Sequence, residues 1–153
     1  MIKNYFKTPL ALIALMSMAV TGCVVIAPQQ KNSETNVQQK KTAHALEGEW
    51  LVITASDTKT AKYGGDASLT LAADGKANGR AVVNGFFADY VFDGKNILFS
   101  HVGATKMAGP EEDMKAESAI LQAINDAKSV VVNGDQATVY NNQGKVVMTL
   151  EKK

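Results

Sequence analysis

Few residue types in this chain can do chemistry, and their spacing decides what they can do. There are two histidines and one cysteine. Metal centres need clusters of histidine, cysteine or carboxylate, and this inventory does not supply one, so neither metal nor cofactor is expected. A Ser–His–Asp set assembled from Ser100, His101 and Asp93 fails on geometry. Neighbouring strand residues point to opposite faces, so the Ser100 hydroxyl and the His101 ring cannot meet as a nucleophile and its base. His101 alternates with Ile97 and Phe99 and reads as a strand residue at the edge of the core; His44 falls in a polar segment. Asp74, Asp93 and Asp135 sit in turn sequences, where aspartate is favoured for backbone reasons. No glycine-rich phosphate loop is present. These absences argue against an enzyme.

Two features are less neutral. Glu117 falls between Met114 and Ile120–Leu121, on the apolar stripe of a helix-like segment. A carboxylate there needs a partner or a neutral form. Lys106, Arg80 or the backbone amides of residues 105–109 are the candidates. Glu117 then reads either as a buried tether between helix and loop or as a perturbed carboxylate lining a ligand cleft. Phe86, Tyr90 and Phe92 share one strand face and suit a core, whereas Phe87 points the other way, beside Asp89 and Val91. It is a candidate surface contact for a partner.

The remaining reactive group is the Cys23 thiol. Lys3 and Lys7 precede an uncharged run, Leu10 to Val20, and Val20-Thr21-Gly22-Cys23 follows. The run is too short to span a bilayer, which needs about 20 apolar residues, but suits the apolar core of a signal peptide. Small residues before the cysteine let the chain lie extended in a peptidase groove. The thiol is the nucleophile for thioether formation with a diacylglycerol. The string resembles the lipobox of bacterial lipoproteins. A plain secretory signal is the competing reading, but it would leave an unpaired thiol in an oxidising compartment. Residues 1–22 are therefore expected to be a signal peptide and Cys23 the site of lipid attachment. Val24, where Asp would signal inner-membrane retention in many enteric-type bacteria, implies the outer membrane.

The elements that would position these groups follow from the rest of the pattern. Cleavage leaves 14 Lys+Arg against 15 Asp+Glu, a net charge of −1, which gives no broad attraction for nucleic acid. Residues 23–45 carry the modified cysteine and a Gln-, Asn-, Lys- and Thr-rich linker that cannot bury enough surface to offset its ordering entropy. A flexible chain of that length spans roughly 25 Å. Residues 46–153 form one domain with a single modest core.

Alternating apolar runs at 50–55, 68–72, 77–83, 86–92, 97–102, 129–132, 136–140 and 145–150 are separated by turn sequences such as Asp74-Gly75 and Asp93-Gly94. Short strands and tight turns argue for antiparallel pairing. Residues 110–128 suit a helix: Pro110 stands where no amide donor is needed, Glu111, Glu112 and Asp113 favour the positive end of the dipole, and Lys128 the negative end. Met114, Ile120, Leu121 and Ile124 form its apolar stripe. The expected class is α+β, a mostly antiparallel sheet of about eight short strands packed on one amphipathic helix.

The order of these features resembles the META-domain family, which includes HslJ-like heat-inducible lipoproteins. Leu46-Glu47-Gly48-Glu49-Trp50 is similar to the family's opening Leu-x-Gly-x-Trp string. Gly79 through Tyr90, with Asn84, stands where the family has Gly, then Cys-Asn, then an aromatic strand. Thr105-Lys106-Met107-Ala108-Gly109 resembles its Thr-Arg-Met-Ala-Cys string, Glu117 its helix glutamate, and residues 133–150 its final hairpin. The resemblance implies that Trp50, Asn84, Tyr90, Thr105, Lys106, Met107 and Glu117 are motif positions of structural weight. It also implies a role in envelope stress or integrity without a defined reaction. Val83 and Gly109 stand where many relatives carry cysteines that can pair, so this chain lacks that bridge as a unit. Lys106 replaces Arg, keeping the charge and losing the planar fork. The expectation is a monomeric outer-membrane lipoprotein held by its lipid. The alternative is a binding or inhibitory module for an envelope protein, a peptide, a lipid or another small ligand.

Overall fold

The structure, a computed structural model, describes residues 45–153. The expected signal peptide, Cys23, the linker up to residue 44 and His44 lie outside the described residues. Within them the chain runs β1 (Gly48–Ala55), β2 (Thr58–Lys59), a 3-10 segment (Ala61–Asp66), β3 (Ala67–Leu71), β4 (Lys76–Ala81), β5 (Asn84–Phe92), β6 (Ile97–Ala104), α1 (Glu111–Asp126), β7 (Ser129–Asn133), β8 (Gln136–Tyr140) and β9 (Val146–Lys152). The α+β class and the strand-rich pattern match expectation. The sequence reading misses β2 and the 3-10 segment, because two residues are too few to show a period.

All strand pairs are antiparallel, in the order β6-β5-β4-β3-β1-β9-β8-β7, with β2 paired to β1. The two ends of this curled sheet meet at one corner. Asn96 bridges Ser129, the Ile97 N–H donates to the Lys128 carbonyl at 3.0 Å, and the Val130 N–H donates to the Lys95 carbonyl at 2.9 Å. Partial closure covers strand edges that would otherwise template pairing with other chains. Turn aspartates act on their own backbones: Asp74 accepts from the Lys76 N–H, and Asp93 from those of Lys95 and Asn96.

The helix packs its stripe into the concave face of the sheet. That stripe is Ala116, Glu117, Ala119, Ile120, Ala123 and Ile124. Met114 stands only at its margin and Leu121 at its edge, so the apolar face is rotated from the expected one and richer in alanine, which allows a close approach to the sheet. The expected dipole partner Lys128 lies beyond the helix, which is capped at Ala127 and has no basic residue in its last turn. The acidic first turn is tied to the 3-10 segment, where Lys62 pairs with Glu112 and the Tyr63 hydroxyl donates to Asp113 at 3.0 Å. Inside, Leu46, Leu69, Leu71, Ile97, Ile124, Val139, Met148 and Leu150 leave a void of about 10 Å³, room for no more than one water molecule. The interior is a filled core. No helix among the described residues is long and apolar enough to cross a membrane.

Candidate functional site: a buried clasp and an outer face

The β4–β5 connection begins the site. Ala81 and Asn84 are paired across the hairpin, and only Val82 and Val83 lie between them. The Val83 N–H donates to the Ala81 carbonyl at 2.9 Å, and Val82 takes φ +68°. That is a γ-turn with a β-branched residue on the left-handed side, a strained geometry. It is held by the Val82 N–H donating to the Asp66 carbonyl at 2.7 Å. On the preceding strand, a Cβ at Gly79 would fall 2.0 Å from the Ser68 carbonyl oxygen and 2.8 Å from the Phe86 ring. Only glycine admits that approach.

This tight turn delivers Asn84, 1% exposed, to the helix. Its backbone N–H donates to Glu117 Oε2 at 2.9 Å, and its Nδ2 lies 3.0 Å from both Glu117 carboxylate oxygens. The other end of the amide holds the β6–α1 loop. Oδ1 accepts from the Thr105 hydroxyl at 2.6 Å and the Met107 N–H at 2.7 Å, while Nδ2 donates to the Met107 carbonyl at 3.0 Å. Four motif positions, Asn84, Thr105, Met107 and Glu117, thus form one clasp joining hairpin, loop and helix. Among the described residues no buried side-chain polar atom lacks a partner, as a stable buried network requires.

The expected partners of Glu117 need correction. Lys106 is exposed and makes no ion pair with it, and Arg80 pairs instead with Asp66 at 3.1 Å. Met107 presents only its backbone to the clasp, and its side chain is exposed. The backbone amides of residues 105–109 do not hold it either, since the Met107 N–H goes to Asn84 Oδ1; the carboxylate is satisfied by the neutral N–H donors of Asn84. Asn84 carried the available signal, as a polar motif residue opening an apolar strand.

Trp50 and Tyr90 lie in the buried core. Trp50 is fully buried, donates Nε1–H to the Leu46 carbonyl at 2.8 Å, and lies under the Lys152 ammonium, 5.4 Å from its ring centre. The Tyr90 hydroxyl donates to the Ala72 carbonyl at 2.8 Å, and burial raises its pKa.

His101 also departs from expectation. Between Phe87 and Asp89 the β5–β6 register shifts, with Phe87 opposite Gly103 and Asp89 opposite Ser100. β6 therefore carries an extra residue there, and His101 takes φ +51°. The bulge turns the ring away from the core to the outer face, as bulges do when they re-aim side chains. Its Nδ1 lies 2.8 Å from Asp89 Oδ2, while the Lys76 ammonium lies 2.6 Å from Oδ1. Hydrogen bonds from Lys76 first, then His101, hold the Asp89 carboxyl below its ordinary range. Ser100 makes no hydrogen bond to this ring, so the His–carboxylate pair has no attached nucleophile. Among the described residues no group of three His, Cys, Asp or Glu could hold a metal.

Comparison with known proteins agrees with this architecture. The META domain model matches residues 43–153. An NMR structure of a protein from Burkholderia xenovorans superposes with TM-score 0.55 at 22% identity, covering 90% of this chain and 99% of that one. A crystal structure of a duf4847 family protein from Bacteroides vulgatus ATCC 8482 superposes with TM-score 0.51 at 15% identity, covering 70% and 93%. At such identities these likenesses show the fold alone. No curated protein matches the chain. With four of the seven motif residues joined in one clasp and the family match spanning the whole described domain, the chain belongs to the META-domain family.

Proposed function

We propose that this META-domain protein is a non-enzymatic envelope lipoprotein, anchored at the outer membrane through a lipidated Cys23, with a role in envelope stress or integrity. The observation that carries the anchoring is the single cysteine of the chain, placed directly after a small-residue string and an uncharged run. The domain suits a part that must survive in the envelope: a filled interior and a buried polar clasp. Mass spectrometry of the mature N-terminus tests the reading. It expects cleavage before Cys23 and a diacylglycerol thioether, and an unmodified Cys23 would reject it. Membrane fractionation should place the protein in the outer fraction.

A binding module is the second reading. Phe87 (62% exposed), Val91 and Leu98 are large apolar side chains left on the outside of β5 and β6, and Val91 and Leu98 are direct cross-strand neighbours. With the core filled, a ligand would have to bind on this outer surface.

A further inference from the structure

The outer face of β4, β5 and β6 holds a shallow depression of about 290 Å³ lined by Lys76, Asn78, Phe87, Asp89 and His101, with Ala77 and Ala88 at its floor. Its wall is an aromatic ring with a fixed seat. A Cβ built on Gly103 would fall 2.4 Å from Phe87 Cζ and within 3.0 Å of both Cε atoms, so the ring rests on bare Gly103 backbone. The rest of the ring faces solvent. Beside it, the bulge at His101 keeps a strained left-handed residue (φ +51°) in order to set its ring on Asp89. Strain of this kind is retained where the surroundings enforce it and clusters at functional positions.

We propose that this depression binds a neutral pyranose saccharide, with the apolar C–H face of the sugar against Phe87 and its hydroxyls on Asp89, Asn78 and Lys76. The inference rests on the binding-module reading and names its ligand class. Charge argues for a neutral ligand. The Asp89 carboxylate is already countered by the Lys76 ammonium at 2.6 Å and touched by His101 at 2.8 Å, so neither the Asp89 nor the Lys76 charge is left uncompensated to hold an ion. Hydroxyl groups are both donors and acceptors. They can join this set without breaking it, using lone pairs of Asp89 and the exposed Asn78 amide. A bilayer fits less well. The Lys76–Asp89–His101 cluster is centred on Asp89, which lies between Phe87 and Val91 on β5, and sinking both apolar residues into lipid would desolvate it. A flat ring with few rotatable bonds offers contact area at low entropic cost.

The test is saturation-transfer NMR on the full chain, in a detergent without a sugar headgroup, with chitobiose and maltose as ligands and phosphatidylglycerol vesicles as competitor. The proposal expects transfer to the ring C–H protons of at least one sugar, with Kd on the order of 1 mM. Phe87→Ala should weaken binding about tenfold with an unchanged melting temperature, and Phe87→Trp should restore it. Gly103→Ala, which pushes the ring off its seat, should weaken it too. Transfer indifferent to Phe87→Ala, or no transfer from either sugar, overturns the proposal. Phe87-dependent capture of vesicles without sugar binding overturns it as well, while leaving the binding-module reading standing. Loss of every Phe87-dependent interaction removes both.

Discussion

The Asn84 side-chain amide lies 3.0 Å from both carboxylate oxygens of Glu117, and the Asn84 backbone N–H reaches one of them at 2.9 Å. A residue of the β4–β5 hairpin thereby holds a residue of α1 that is 33 positions away in sequence. With no cation on the carboxylate among the described residues, the amide's orientation matters: Nδ2 faces Glu117 and Oδ1 faces Thr105 and Met107.

Asn84→Asp should therefore be worse than Asn84→Ala at neutral pH. The aspartate would set a second carboxylate against Glu117, and like charges sharing a buried site raise one pKa strongly. A folded-state pKa raised above the unfolded one gives stability that is present at low pH and lost as pH rises through the folded value. Melting curves should thus show Asn84→Asp recovering on acidification below neutrality, and Asn84→Ala showing no such recovery. Parallel pH profiles for the two variants would reject the orientation.

The positions without cysteines make a second prediction. A Cβ at Gly109 would lie 3.5 Å from the Val83 Cβ and 2.7 Å from Val83 Cγ2. That Cβ separation is within the range that disulfides span, and Val83→Cys removes the crowding methyl. The double variant Val83→Cys/Gly109→Cys should oxidise spontaneously and gain about 3 kcal/mol of stability against its reduced form. Gly109→Ala alone, pressed on the intact valine, should lose stability. Free thiols in the purified double variant under air would contradict the juxtaposition.

Trp50→Ala should cost about 3–5 kcal/mol, the usual loss for truncating a fully buried aromatic, and it also orphans the Leu46 carbonyl that accepts from Nε1. That is a large fraction of the stability of a domain this size. Chemical denaturation checks it, and a loss below about 1 kcal/mol would show the indole to be dispensable.

What was legible beforehand follows a physical rule. The strands and turns could be read because their signals are local: Phe86, Ala88 and Tyr90 do face the core while Phe87 does not. The helix could be read for the same reason, though its face came out rotated, because Ala116, Ala119 and Ala123 carry little hydrophobic weight yet pack most closely. His101 was misplaced by one inserted residue, since a bulge reverses the alternation beyond it and leaves no mark in composition. The Glu117 partner is not among Lys106, Arg80 and the amides of residues 105–109 because the β4–β5 turn that delivers Asn84 is 33 positions away in sequence and no local pattern ties it to the helix. Closure of the sheet through Asn96 and Ser129 is a tertiary event that no local period encodes.

The clasp is the central claim, and Glu117 tests it most directly. Urea denaturation of Glu117→Ala and Glu117→Gln should show the alanine variant losing about 3 kcal/mol or more, because it strands the Asn84 backbone N–H and the Nδ2 hydrogen not held by the Met107 carbonyl. The glutamine variant should lose less, since its carbonyl oxygen still accepts one of those bonds. A loss below about 1 kcal/mol in the alanine variant, the size expected when an exposed pair is broken, would contradict the buried clasp.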